Sequence, residues 1–177
     1  PEIFLSLSIM FLLILGVFKK NSSKLILNIS LIVLLVTAAI IFNENLSTKE
    51  TMLFGDSIVI DYLSSFMKII TLLAAFFVLV ISPSYLTTFK IYKIEYPILI
   101  LSSVLGMMIM ISSNDLIVFY MGLELQSLAL YVLATFNRDQ LKSSEAGLKY
   151  FVLSALSSGL LLYGCSLIYG FTGSTNF

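Results

Sequence analysis

Long apolar runs separated by short polar stretches dominate this sequence, and they predict membrane-spanning helices. A helix rises about 1.5 Å per residue, so about 17 to 25 apolar residues cross the hydrocarbon core of a bilayer. Six runs approach or reach this length, the first and fourth with help from their flanks. The predicted spans are approximately residues 3–18, 25–42, 65–81, 97–112, 116–134 and 148–169. The pattern therefore predicts an all-α polytopic membrane protein, with residues 1–177 forming a single membrane domain.

Basic residues divide the predicted connections into two sides. Of the eight basic residues in or next to these connections, only Lys49 lies on the side that also holds residues 1 and 177. The other seven are Lys19, Lys20, Lys24, Lys90, Lys93, Arg138 and Lys142. Because basic loops stay on the cytoplasmic or matrix side, the seven mark the inner side of the membrane. This regularity supports an even number of spans.

The outer-side loop, residues 43–64, is the longest connection on its side. Three successive β-branched residues at 58–60 follow a Gly55-Asp56 turn signal. Such a pattern predicts a short hairpin or an interfacial loop with a structural role.

Proline and aspartate mark several predicted helix ends. Pro83 predicts an end to the third helix, and Pro97 suits the first turn of the fourth, where its missing N–H costs nothing. Asp115 can cap the fifth helix. The turn before it is very short, so the fourth and fifth spans should be antiparallel neighbours.

Composition excludes a soluble globular domain and several classes of site. The chain is 59% hydrophobic and 11% charged, against about 25% charged in soluble domains. Its net charge is zero, so no nucleic-acid partner is expected. It has no histidine, and Cys165 is its only cysteine, which we interpret as a small buried hydrophobe. No bound metal or haem is expected.

Glu124 lies near the middle of the fifth predicted span. A charge at this depth costs roughly 2.5–3.5 kcal/mol, which makes an intramembrane carboxylate a candidate proton-exchanging group. Tyr120, four residues before it, and Ser127 and Tyr131, three and seven residues after it, form one polar stripe with it. The alternative is a neutral glutamic acid that only joins helices by hydrogen bonds.

Two lysines lie in or near other spans. Lys149 opens the sixth span, with Glu145 four residues earlier, and it is either functional or extends to the interface. Lys68 lies near the start of the third span, and we expect its side chain to reach the outer interface, with Asp61 as a candidate partner.

Small residues follow in the sixth predicted span. Ser154, Ala155, Ser158 and Gly159 form two overlapping pairs at four-residue spacing. Such pairs let another helix approach closely, so this span should pack against protein.

From residue 112 the sequence carries a family resemblance. The stretches "LELQSL", "EAGLKYF" and "LLYGCSLIYGFTGSTNF" occur in this order between residues 112 and 177. Together they resemble the subunit 2 family of NADH:ubiquinone oxidoreductase, respiratory complex I, whose bacterial counterpart is subunit N. Residues 1–111 agree in hydropathy and number of spans.

The resemblance implies an antiporter-like, proton-pumping subunit of fourteen helices with two inverted five-helix repeats, of which this chain holds the first six. Glu124 matches the proton-site glutamate of the fifth helix, and Lys149 matches the lysine of the sixth. No cofactor is expected in this chain, because NADH, FMN, the iron–sulfur clusters and ubiquinone are used elsewhere in the complex. Lipids and other membrane subunits of complex I are the expected partners.

The family places the partner lysine of the glutamate on a seventh helix, and this sequence ends before that helix. We therefore expect a split subunit, in which a second polypeptide supplies the remaining helices of subunit 2, with a shortened chain as the alternative. The expected location is the mitochondrial inner membrane, or alternatively the bacterial inner membrane. A structural scaffold and a subunit of a Na⁺/H⁺ antiporter are the competing functions.

Overall fold

A computed structural model describes residues 1–18, 23–44, 51–89 and 91–177 of the chain. Six helices and one small hairpin account for most of these residues. The helices are α1 (Glu2–Phe18), α2 (Ser23–Glu44), α3 (Tyr62–Thr88), α4 (Glu95–Ser112), α5 (Leu116–Ala134) and α6 (Leu141–Thr172). Five of them are long and apolar enough to cross a membrane, and α1 is an apolar helix of 17 residues. The predicted six-helix membrane fold is therefore confirmed.

Two helices extend well beyond the predicted spans. The third continues through Pro83 to Thr88, so the prediction that Pro83 ends it is wrong. Hydroxyl groups after the proline bond to nearby carbonyls, and Thr87 Oγ1 lies 2.8 Å from the Pro83 oxygen. The sixth begins at Leu141 instead of residue 148, because a polar stretch can continue a helix outside the bilayer. At 32 residues it is about 48 Å long, more than the hydrocarbon core requires.

The predicted hairpin is present, with strands β1 (Thr51–Leu53) and β2 (Ile58–Ile60) in antiparallel register. The turn has positive φ at Phe54, Gly55 and Asp56, with +64° at Gly55. A glycine adopts this conformation without a Cβ clash, so the Gly55-Asp56 signal marks the reversal.

The hairpin lies at one end of the helix bundle, which we call the outer end. Its Ser57 carbonyl accepts a hydrogen bond of 2.9 Å from the backbone of Asn114, in the turn between α4 and α5. The segment after α6 joins the same layer, where the Leu116 amide donates to the Thr175 carbonyl at 2.8 Å. The three connections predicted to share the outer side therefore contact one another.

The opposite, inner end collects the basic connections. Tyr92 OH, between α3 and α4, donates to the Ser23 carbonyl at the start of α2 at 3.2 Å. The Tyr96 and Phe136 rings meet edge-to-face at 5.8 Å, which joins α4 to the segment after α5. Four of the basic residues used to assign the two sides lie outside the described residues: Lys19, Lys20, Lys49 and Lys90.

The hydrophobic core is formed by α1 to α4. Leu5, Leu12, Leu34, Leu79 and Leu101 are among its most deeply buried side chains. In contrast, α6 packs mainly on α5 and leaves most of its surface exposed, with Gly147 and Cys165 as its two buried residues. The buried state of Cys165 agrees with its interpretation as a small hydrophobe.

Lys68 corrects one prediction made from the sequence. Its side chain is enclosed by protein instead of extending freely to an interface, since only 2% of it is exposed and its Nζ atom lies 2.5 Å from Glu2 Oε1. The predicted alternative partner, Asp61, caps α3 instead and accepts from the Ser64 amide at 2.8 Å. Hydrogen bonds from the Ser64 side chain and from its backbone amide lower the pKa of Asp61. The ion pair therefore joins α3 to α1, a contact between residues 66 positions apart.

Candidate functional site

Glu124 lies near the middle of the 19-residue helix α5 and is half-buried. This helix has the bounds predicted from the sequence, and Asp115 caps its first turn. The cap carboxylate accepts from the amides of Ile117 at 2.7 Å and Val118 at 3.3 Å. The cap therefore anchors the start of the helix at the outer end and holds Glu124 about two and a half turns further in.

The Asp115 cap is itself held by the segment that follows α6. Thr175 Oγ1 donates to the second carboxylate oxygen of Asp115. This hydrogen bond is the main reason why the pKa of Asp115 lies below its usual range, and the Ile117 and Val118 amides lower it further against the opposing effect of burial. The carboxylate is therefore favoured in its charged form, in which it caps the helix best.

Two hydroxyl groups lie close to the Glu124 carboxylate. Ser127 Oγ lies 3.4 Å from Glu124 Oε2 and donates to the Glu124 carbonyl at 3.0 Å. The Tyr120 hydroxyl lies beside the same carboxylate and beside the Ser158 hydroxyl of α6. The polar stripe predicted on α5 thus extends across to the neighbouring helix.

A second hydroxyl contact joins the two helices one turn further toward the inner end. Tyr131 OH donates to Ser154 Oγ. The Tyr131 ring also packs edge-to-face on Tyr150 at 4.9 Å and on Phe151 at 5.6 Å. Two of the predicted small residues of α6, Ser154 and Ser158, therefore face α5 through their hydroxyls.

Lys149 is not brought together with Glu124. Its Nζ atom lies 2.6 Å from Glu145 Oε1 on the same helix, as the four-residue spacing predicts. Both side chains are more than half exposed, at 67% for Lys149 and 54% for Glu145. Within the described part of the chain, the two sequence-predicted site residues therefore occupy separate environments.

Sequence reasoning missed the glycines that set the position of α5. A Cβ atom added to Gly106 of α4 would lie 2.6 Å from the Gln126 nitrogen and 2.7 Å from the Gly122 carbonyl oxygen. A Cβ atom on Gly122 would lie 2.9 Å from the Gly106 oxygen and 2.9 Å from the Met110 nitrogen. The two backbones touch here, two residues from Glu124. A signal was available, because both glycines lie eight residues from Asn114 in the turn between two predicted antiparallel helices.

Comparison with known proteins shows which proteins this chain is similar to. A family model described as "NADH:quinone oxidoreductase/Mrp antiporter, TM" matches residues 113–177. Over all 177 residues the chain is 72% identical to NADH-quinone oxidoreductase subunit N of Pelagibacter ubique and 55% identical to subunit N of Maricaulis maris. The resemblance to subunit N is confirmed. The chain spans 37% of the length of each of these two relatives, and it matches an N-terminal portion of the subunit.

Solved structures agree with the subunit N fold. A chain of respiratory complex I from Thermus thermophilus superposes with a TM-score of 0.83 at 28% identity, over 99% of this chain and 38% of that one. A chain of the Mrp complex from Dietzia shares the fold, with a TM-score of 0.80 at 22% identity over 99% of this chain and 35% of that one. The chain is therefore a multi-pass membrane protein whose relatives are subunits of NADH-quinone oxidoreductase.

Proposed function

We propose that this chain is a membrane-arm subunit of a proton-translocating NADH:quinone oxidoreductase and that Glu124 is a proton-carrying group in it. The supporting observation is the half-buried Glu124 carboxylate near the middle of α5, with the Tyr120 and Ser127 hydroxyls beside it. A carboxylate at this depth is costly, and this cost favours a functional role for it.

The hydroxyl groups around the carboxylate suit proton exchange. A hydroxyl both donates and accepts hydrogen bonds, so it can take a proton on one side and release one on the other. Tyr120 and Ser158 connect Glu124 to α6 toward the outer end, and Tyr131 and Ser154 form a second contact nearer the inner end. We propose that protons reach Glu124 along this interface and leave it toward helices that follow in the longer relatives.

Lys149 has a secondary role in this proposal. Its ion pair with Glu145 lies on the exposed surface of α6, and neither side chain contacts Glu124 in the described part of the chain. Since charge near a protonatable group changes its proton affinity, Lys149 would act on the proton path through its electric field. This effect of the Lys149 charge decreases with distance, and the opposite charge of Glu145 weakens it further.

We place the protein in the bacterial inner membrane, because the relatives reported above are bacterial. Other membrane subunits of complex I and lipids are the proposed partners. We propose that this chain holds no redox centre and that electron transfer from NADH to quinone occurs elsewhere in the complex. The second polypeptide predicted from the sequence to carry the remaining helices stays a prediction, as does the single membrane domain.

Replacing Glu124 tests the proposed function. We expect Glu124→Gln to lower the ratio of protons pumped to electrons transferred, because an amide keeps the shape of the side chain but cannot bind and release a proton. The ratio is measured in membrane vesicles from NADH oxidation and acidification. The complex should assemble in normal amounts.

Asp139→Asn is the matched control for this variant. It makes the same chemical change at an exposed carboxylate in the link between α5 and α6, and its pumping should be normal. A normal proton-to-electron ratio in Glu124→Gln would contradict the proposal and favour a scaffold role.

A smaller effect is expected for Lys149→Ala. The side chain is paired on the exposed surface, so its removal should lower the pumping ratio by less than half of the loss in Glu124→Gln. The same vesicle assay measures both variants side by side. Equal losses would show that Lys149 is as directly involved as Glu124.

A further inference from the structure

A cavity of about 210 Å³ opens at the inner end of the bundle, between α1, α4 and α5. Its lining includes neither Glu124 nor the hydroxyl groups beside that carboxylate. Four of its lining residues are polar or charged, and they are Lys93, Glu95, Thr135 and Arg138. The proposed proton path uses none of them.

Two basic side chains border the cavity from different connections. Lys93 lies in the segment before α4, and Arg138 lies in the segment after α5. The Lys93 Nζ atom is 5.8 Å from the centroid of the Phe136 ring, a distance at which cation and ring attract each other. Both side chains are exposed at the end where the basic connections gather, so their charges face the inner membrane surface.

The rest of the lining is apolar. Leu13 of α1, Ile98 and Leu99 of α4, and Val132 of α5 contribute to it. These residues lie within the helices, between about half a turn and one and a half turns from the helix ends on the inner side. The cavity therefore combines a cationic mouth with an apolar floor.

We propose that this cavity binds an anionic glycerophospholipid with a hydroxylated headgroup, such as phosphatidylglycerol. Its phosphate would lie between Lys93 and Arg138, and an acyl chain would cover the apolar floor. With Glu95 the lining carries two positive charges and one negative charge, which complements a headgroup of charge −1. Glu95 and Thr135 can accept hydrogen bonds from the headgroup hydroxyls, a role for which a carboxylate is suited.

The combination of features distinguishes a lipid from a free anion. A free phosphate would leave the apolar floor exposed to water, whereas a lipid fills both parts of the cavity. Basic pockets between helices on the cytoplasmic side are typical binding sites for acidic lipid headgroups. The inference is independent of whether Glu124 carries protons.

Photolabelling of the complex that contains this chain tests the inference. The complex is placed in phosphatidylcholine nanodiscs that hold a trace of phosphatidylglycerol or phosphatidylethanolamine with a photoreactive group on one acyl chain. We expect phosphatidylglycerol to label the segments 91–101 and 130–138 about fivefold more than phosphatidylethanolamine, the effect of about one basic residue near a membrane surface. Mass spectrometry of peptides measures the labelling.

Two double variants separate a built site from general attraction to basic residues. Lys93→Ala with Arg138→Ala should reduce the phosphatidylglycerol labelling to the phosphatidylethanolamine level. Lys24→Ala with Lys142→Ala removes the same charge from the inner side outside the cavity, and it should leave the labelling unchanged.

Four outcomes would overturn the inference. One is equal labelling by the two lipids, and another is an equal loss in the two double variants. The third is an absence of label in both segments, which would mean that protein covers the cavity in the complex. Exchange of the two side chains, Lys93→Arg with Arg138→Lys, should keep the label, and its loss would show that charge is not the cause.

Discussion

Replacing Gly106 with alanine should destabilise the protein by about 1–3 kcal/mol, the usual cost of overpacking a well-packed site. The new Cβ atom would lie 2.6 Å from the Gln126 nitrogen and 2.7 Å from the Gly122 oxygen. Both are backbone atoms, so no change of side-chain rotamer relieves the clash, and α4 and α5 must move apart. The expected loss occurs although alanine favours a helix over glycine by about 1 kcal/mol.

Thermal denaturation of the purified complex, together with the amount of assembled complex in membranes, measures this loss. Gly170→Ala is the control, because a Cβ atom there meets nothing within 4 Å in the chain, and we expect no loss of stability. Gly159 has the same free space but belongs to the small-residue pattern of α6, which makes it a less neutral choice. Equal stability of Gly106→Ala and Gly170→Ala would contradict the close approach of α4 and α5.

The movement of α5 has a functional consequence. Gly122 is two residues from Glu124, so separation of α4 and α5 would shift the carboxylate relative to its hydroxyl neighbours. We therefore expect the Gly106→Ala complex that still assembles to have a lower ratio of protons pumped to electrons transferred, in addition to its lower stability. Proton transfer requires hydrogen-bond distances, and a shift of about 1 Å disrupts them.

Long apolar runs were sufficient to predict the presence and order of the helices in this chain. Each apolar run predicts a helix because backbone groups inside a bilayer must bond within their own segment. The fifth run gave the bounds of α5 because Asp115 caps its start and a polar segment follows its end. Helical spacing likewise predicted the stripe from Tyr120 to Tyr131, since residues three and four apart share a face.

Hydropathy could not predict where helices continue outside the membrane. Beyond the hydrocarbon core, polar residues can also form helix, so apolar runs give only minimum lengths. This explains why α3 passes Pro83 and why α6 begins at Leu141. Backbone hydrogen bonding determines these ends, and hydropathy does not report it.

Contacts between segments that are far apart in the sequence were the second feature that could not be predicted. Local spacing suggested Asp61 as a partner of Lys68, whereas the actual partner, Glu2, is far away in sequence and near in space. Local spacing correctly predicted the pair of Lys149 with Glu145, but it could not predict which face of α6 packs against α5. The contact between Gly106 and Gly122 could have been predicted from the sequence, because the short turn at Asn114 places the two glycines at the same level of neighbouring helices.

Loss of Glu2 should be the most destabilising of the charge substitutions discussed. Lys68 is 2% exposed and Glu2 is 23% exposed, so Glu2→Gln leaves a buried ammonium group without its counter-charge. Breaking such a pair from one side typically costs about 3–5 kcal/mol. Lys68→Met should cost less, because the remaining carboxylate is already partly accessible to water. Thermal denaturation of the assembled complex measures each variant.

The double variant Glu2→Gln with Lys68→Met decides whether the pairing itself is responsible. We expect it to recover most of the stability lost in Glu2→Gln, because a buried ion pair replaced by neutral groups of similar size is often neutral in stability. Glu145→Gln with Lys149→Met removes the exposed pair of α6, whose contribution should stay below about 1 kcal/mol. Additive losses in the Glu2 and Lys68 variants would mean that the two side chains stabilise the bundle independently, and the ion pair would then not be what joins α1 to α3.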